Sequence, residues 1–135
     1  MIRFEHFALN LPEPRAVGQW YVENLDCRIV FQLDEEPFTV FLGDQQGRVF
    51  WEFYNNPRAG YSAVANTDPL SYHLAFAVED AEAVRSRVLA AGGAEVAEVR
   101  SESGSRLLMM RDPWGLGLQL CQRIPPFLPP VGGQP

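Results

Sequence analysis

The sequence contains no lysine: all 11 of its basic residues are arginines. Schiff-base catalysis and a phosphate loop of the Gly-Lys-Ser/Thr type both need a lysine amine, so both are excluded. Cysteine is scarce as well. Cys27 and Cys121 are the only two, share no Cys-x-x-Cys spacing and sit in apolar strand-like stretches. They read as buried free thiols rather than as a disulfide. No basic run breaks the net charge of −6, so the electrostatic footprint of a nucleic-acid binder is missing. No apolar run approaches the roughly 20 residues of a membrane span. The start Met1-Ile2-Arg3-Phe4-Glu5-His6 lacks a signal-peptide pattern. The expectation is a cytoplasmic protein with no nucleic-acid or membrane partner, acting on a small molecule.

What is present fits one well-buried domain: 135 residues, 47% hydrophobic and 21% charged. Its organising stretch is Gly47-Arg48-Val49-Phe50-Trp51-Glu52-Phe53-Tyr54, a strand pattern with one carboxylate in its middle. Alternation puts Val49, Trp51 and Phe53 on one face and Phe50, Glu52 and Tyr54 on the other. An unpartnered carboxylate among rings is costly, so something must compensate Glu52.

Along the chain, Ile2 to Leu11 reads as a strand and Arg15 to Asn24 as an amphipathic helix built on Val17, Trp20, Tyr21 and Leu25. Two strands follow, Arg28 to Gln32 and Pro37 to Leu42, then the turn Gly43 to Gly47 and the Glu52 strand. Asn55 to Pro69 is a polar connector without periodicity. The same order then recurs. Leu70 to Val78 reads as a strand and Ala81 to Ala91 as a helix, with Asp80 as N-cap and Gly92 as its stop. Strands at Ala94 to Val99, Arg106 to Arg111 and Leu116 to Gln122 complete it. The tail from Pro125, rich in proline and glycine, is expected to be extended, packing through Phe127 and Leu128.

The pattern is therefore strand–helix–strand–strand–strand, twice, and a repeat of this kind decides the fold. The copies register at a shift of 67 residues, which lays His6 on His73 and Glu52 on Gln119. If first and last strands of both halves line one concave face, all four side chains converge. Two imidazoles, a carboxylate and an amide oxygen are competent ligands for a divalent Zn, Ni, Mn, Co or Fe ion. Such an ion would compensate Glu52 and polarise a substrate oxygen as a Lewis acid. Taken alone, either histidine, and Gln119 likewise, is more often a hydrogen-bonded structural group than a ligand, as in a metal-free polar cavity; the matched set is what points to a metal. Cys121 shares the face of Gln119. Arg106 and Arg111 read as solvated arginines or as anion binders, Gly104 as a hairpin turn or a lid, and Trp20, Trp51, Phe50 and Tyr54 as core or cavity wall.

Glu5-His6-Phe7-Ala8-Leu9, Trp51-Glu52-Phe53, Tyr72-His73-Leu74-Ala75-Phe76-Ala77-Val78 and Asp112-Pro113-Trp114-Gly115-Leu116-Gly117-Leu118-Gln119-Leu120 together resemble the vicinal oxygen chelate superfamily (glyoxalase I, bleomycin-resistance proteins, extradiol dioxygenases). The resemblance implies an α+β fold of two tandem βαβββ modules curving a mixed sheet around a cleft. It implies one domain over 1–124, with module 1 at 1–54, a connector at 55–69, module 2 at 70–124, and a tail at 125–135. It carries His6, Glu52, His73 and Gln119 onto the four metal-ligand positions of the glyoxalase I arrangement, with Glu52 as the catalytic proton carrier. In that arrangement the fourth ligand is usually Glu, and an amide such as Gln119 is no base at neutral pH. The resulting expectation is a metal-dependent lyase or isomerase acting on a small substrate chelated through vicinal oxygens, in a homodimer. Two other readings stand beside it: a metal-free, bleomycin-resistance-like binding protein, and a non-haem iron dioxygenase-like enzyme using His6, His73 and Glu52.

Overall fold

A computed structural model describes residues 1–129. The chain divides into two compact units, Met1–Ala63 and the residues from Val64 onward. The first contains β1 (Phe7–Asn10), α1 (Pro14–Asn24), β2 (Arg28–Gln32), β3 (Val40–Gly43) and β4 (Val49–Tyr54). Its sheet has the order β1-β4-β3-β2, with β1 parallel to β4 and the other pairs antiparallel. The second contains β5 (Leu74–Ala77), α2 (Ala81–Ala90), β6 (Ala94–Arg100), β7 (Arg106–Arg111) and β8 (Gly117–Gln122). Its sheet repeats the arrangement as β5-β8-β7-β6. The fold is α+β: two four-stranded mixed sheets, each an open sheet carrying one helix, as the duplicated sequence pattern implies.

In unit 1 the apolar stripe of α1 meets one face of the sheet. Val17, Trp20 and Tyr21 are buried with Val40, Leu42, Trp51 and Phe53. The Tyr21 and Trp51 rings lie 5.7 Å apart edge to face, and Trp51 is 4.8 Å from Phe53. In unit 2, Val88 of α2 is buried with Leu108, Met110, Leu118 and Leu120. Each large side chain so enclosed contributes roughly 1.5–3 kcal/mol. Helix α2 starts where its cap dictates: Asp80 Oδ1 accepts the backbone N–H groups of Glu82 and Ala83. Cys27 and Cys121 are buried thiols.

Several element bounds differ from those read in the sequence. The first strand of each module begins late, at Phe7 and Leu74 rather than at Ile2 and Leu70. Ile2 and Phe4 stay exposed, and Leu70 is held in a turn by Asp68, whose Oδ1 accepts its N–H. The third strand begins at Val40 because Phe38 has a positive φ of 54°, which no strand residue adopts. Val49 is half-buried instead of joining Trp51 and Phe53 in the core. The cause is a bulge: Leu42 pairs with Trp51 but Gly43 pairs with Val49, which leaves Phe50 as the extra residue. The stretch 55–69 contains two single-turn 3-10 helices, Pro57–Ala59 and Val64–Asn66. In the tail, Phe127 does not pack: it is exposed, with the Arg123 guanidinium 4.3 Å from its ring. Residues 130–135 of the expected extended tail lie outside the described residues.

The turns that feed β4 and β8 are copies of one another. Asp44 Oδ1 accepts the N–H groups of Gln46 and Arg48, and Asp112 Oδ1 accepts those of Trp114 and Leu116. In both, the glycine three residues on, Gly47 or Gly115, donates to the aspartate carbonyl at a positive φ of 76° or 91°. Only glycine takes that conformation without strain. At Gly115 a side chain would also strike Ala65, whose Cβ lies 2.8 Å from where it would begin.

Candidate functional site

Each sheet has one face covered by its helix and one face without it, and the predicted site residues are on the second. In unit 1, Ala8 of β1 pairs with Glu52 of β4, and His6 lies two residues before Ala8 on the same side. The structure brings His6 and Glu52 together: Nε2 of the imidazole is 3.2 Å from Oε2 of the carboxylate. Both side chains are largely sheltered, 27% and 20% exposed. The other ring nitrogen of His6, Nδ1, is 2.8 Å from the Glu5 carboxylate. Phe41 pairs with Glu52 across β3 and β4, and its ring stands at 90° to the His6 ring at 5.2 Å. Phe31 extends this wall, 6.0 Å from Phe41. The carboxylate is thus set among rings, as its strand pattern requires, and within unit 1 His6 is the group that meets it.

Unit 2 repeats the strand register, but His73 and Gln119 each meet a different partner. His73 immediately precedes β5, and Ala75 pairs with Gln119 of β8 as Ala8 pairs with Glu52. His73 Nδ1 donates to the Pro69 carbonyl at 2.7 Å. The Cys121 thiol donates to Gln119 Oε1 at 3.2 Å. Burial pushes the Cys121 thiol above its ordinary pKa against the opposing influence of Arg123, so it is a hydrogen-bond donor and not a thiolate. Met109 faces Gln119 across β7 and β8.

The four predicted ligands are therefore divided two and two between the units. Among the described residues, no three His, Cys, Asp or Glu side chains form a group able to hold a metal ion. The donor chemistry nevertheless fits one. His73 carries its ring proton on Nδ1 in the neutral imidazole, where the Pro69 carbonyl accepts it, which leaves Nε2 with the lone pair; His6 has an acceptor at Nδ1 as well. The Nε2-to-Oε2 separation of 3.2 Å is also that of two donors sharing an ion at bond lengths of about 2.1 Å.

The remaining sequence candidates have structural duties. Arg106 bonds to the carboxylates of Glu98 and Glu82, and those hydrogen bonds hold both carboxyls below the ordinary carboxylate range. Arg111 donates to the carbonyls of Val64, Thr67 and Gly115. Gly104 belongs to a hairpin turn closed by a Ser101 N–H to Ser105 carbonyl bond. Glu5, Phe31, Phe41 and Pro69 were not singled out by sequence. Glu5 and Pro69 carry no motif of their own, and only adjacency to the histidines could have flagged them.

Over residues 6–121 the chain matches the family model of a glyoxalase-like domain. No curated protein matches it. Similar solved structures include a glyoxalase-related enzyme from Fulvimarina pelagi, at a TM-score of 0.66 and 18% identity over 92% of this chain and 90% of that one. The trypanothione-dependent glyoxalase I of Leishmania major aligns at 0.66 and 22% identity over 90% and 87%. TnmS3, an antibiotic binding protein from Streptomyces sp. CB03234, aligns at 0.63 and 14% identity over 90% and 96%. At these identities the likeness is one of fold.

Proposed function

The chain belongs to the glyoxalase-like domain family of the vicinal oxygen chelate superfamily, and from that premise we propose that it is a divalent-metal-dependent lyase or isomerase. Its substrate is a small molecule bound through two neighbouring oxygens. The observation that supports this reading is the His6–Glu52 pair, Nε2 to Oε2 at 3.2 Å, repeated in outline by His73 and Gln119 at the equivalent strand positions. His6 and Glu52 of the first module and His73 and Gln119 of the second are the residues that would serve as ligands to the ion. When bound, it supplies Lewis-acid polarisation of the substrate oxygens.

The chain's own residues do the rest. Glu52 moves the substrate proton at Oε1, the carboxylate oxygen not turned toward His6. Gln119 orients without exchanging a proton, because an amide is no base at neutral pH. Phe41, paired with Glu52 across β3 and β4, shelters the carboxylate. His6 and His73 present Nε2, each held by its Nδ1 contact.

The test is the metal content of the purified, untagged protein by mass spectrometry, beside a Glu52→Ala, His73→Ala double variant. The expected result is about one transition metal per chain, lost in the variant. Ni or Zn would direct assays to glyoxalase-type isomerisation, and Fe to oxygenation. A protein that stays empty after incubation with Ni, Zn, Mn and Fe(II) overturns the reading.

A second reading, a metal-free small-molecule binder, draws on one observation: Phe31 exposes half of its surface beside Phe41. An exposed ring beside a half-buried one, near a carboxylate, suits a planar or cationic ligand. TnmS3, of the same fold, is an antibiotic binding protein. Under this reading a ligand raises the melting temperature of metal-free protein, and His73→Ala binds it as well as the parent does.

A further inference from the structure

The two histidines are held by the same ring atom through unlike partners. His73 Nδ1 donates to the backbone carbonyl of Pro69 at 2.7 Å, an acceptor that no side-chain substitution removes. His6 Nδ1 instead meets the carboxylate of Glu5 at 2.8 Å. That side chain is 78% exposed and contributes nothing to the core. On the far side of the ring, Nε2 stands 3.2 Å from Glu52 Oε2.

A neutral imidazole has one N–H and one lone pair, and a carboxylate can only accept. His6 therefore has two competing acceptors, one at each nitrogen. If its proton sits on Nε2, the ring donates to Glu52. The lone pair is then lost from the metal side, and the Glu52 oxygen is covered as well. If its proton sits on Nδ1, both Nε2 and Glu52 Oε2 remain donors toward an ion. We propose that Glu5 is the positioning residue of His6: by accepting the Nδ1 proton it prevents His6 and Glu52 from satisfying one another. Module 1 needs this device because its last-strand residue is a carboxylate. Module 2 places an amide, Gln119, at that position and holds its histidine with a carbonyl. The purpose of the device rests on the metal reading above; its geometry does not.

The chain has only two histidines, so a long-range nitrogen–proton correlation spectrum of the metal-free protein contains two rings. It is recorded at about pH 9, above the ordinary histidine range. Both rings of the parent are expected in the Nδ1–H form. In Glu5→Ala the His6 ring moves to the Nε2–H form while His73 stays, and Glu5→Gln, whose amide oxygen still accepts, restores the parent spectrum. A His6 ring that keeps Nδ1–H in Glu5→Ala, or that carries both protons in the parent at that pH, overturns the proposal.

Titration with Ni(II) or Zn(II) alone gives the second readout. Glu5→Ala is expected to bind about 10- to 100-fold more weakly than the parent, the range for removing a group that orients a ligand. Glu5→Gln is expected to stay within about threefold. Equal affinity in Glu5→Ala and the parent overturns the positioning role. A parent that binds no ion overturns the metal reading instead, and the tautomer spectrum then decides the fate of Glu5 by itself.

Discussion

Glu52 and Gln119 occupy the same place in two copies of one module, yet one carries a charge and the other does not. Gln119→Glu would give unit 2 the carboxylate that unit 1 has. An added anionic ligand is expected to tighten Ni(II) or Zn(II) binding about tenfold, or roughly 1.4 kcal/mol. Calorimetric titration reads this directly, and unchanged or weaker binding would remove Gln119 from the ligand set. Cys27 provides a pH signature unconnected with the site. Burial, helped by the nearby charges of Asp26 and Asp44, pushes its thiol from 9.0 to about 12. Between those values the unfolded chain loses the thiol proton and the folded one keeps it. Stability is therefore unaffected by Cys27 below about pH 9 and falls as pH rises above it, by about 1.4 kcal/mol per unit. Urea unfolding at about pH 8 and about pH 10.5 should show a drop of ~2 kcal/mol that Cys27→Ala lacks. At this scale the sequence was most informative where chemistry is rare. Two histidines in 135 residues draw the eye, whereas Phe41, one of nine phenylalanines, becomes visible only once its ring is seen 5.2 Å from His6.

The strands that carry the site keep one offset through the whole repeat. Phe7 pairs with Trp51 and Ala8 with Glu52; 67 residues on, Leu74 pairs with Leu118 and Ala75 with Gln119. That constancy is why the equivalence of His6 with His73 was legible from spacing alone. The intervening elements break it. The aspartate turns, Asp44 and Asp112, are 68 residues apart, so module 1 has one residue more between its turn and its acidic position. The bulge at Phe50 absorbs that residue. The second strands β2 and β6 also bulge, at Val30 and Val96, the residues their ladders skip, and both are exposed. Side-chain periodicity does not reveal a bulge, because it is fixed by which residues pair across strands and not by the strand's own pattern. Removing one residue from a strand ordinarily turns everything beyond it to the wrong face. Deletion of Phe50 should not: the β3–β4 ladder would become the regular β7–β8 ladder, with Glu52 still beside His6. The variant is expected to keep the parent circular dichroism spectrum and to lose no more than about 2 kcal/mol. A molten or insoluble product would show that the bulge is required and not merely accommodated.

Across the whole chain, two modules of one design were readable from the order of their elements, and so was the α+β class. The division of the 55–69 stretch was not. Asn10 takes its first half, bonding Asn56 and Gly60, while Arg111 takes its second, bonding Val64 and Thr67. These are long-range bonds to backbone groups, which leave no periodic trace in the sequence. The duplicated design permits two kinds of metal site, and they differ in stoichiometry. Were each module to hold its own ion, the parent would take up two per chain, and His6→Ala or His73→Ala would each leave one. Two protein donors alone leave most of an ion's coordination to water, however, whereas tightly held sites use three or four. About one ion per chain is therefore expected. At that stoichiometry either histidine variant empties the protein of its ion as fully as the double variant does. Native mass spectrometry of the parent, the two single variants and the double variant counts the ions directly. One ion remaining in each single variant would mean that the repeat makes two independent sites.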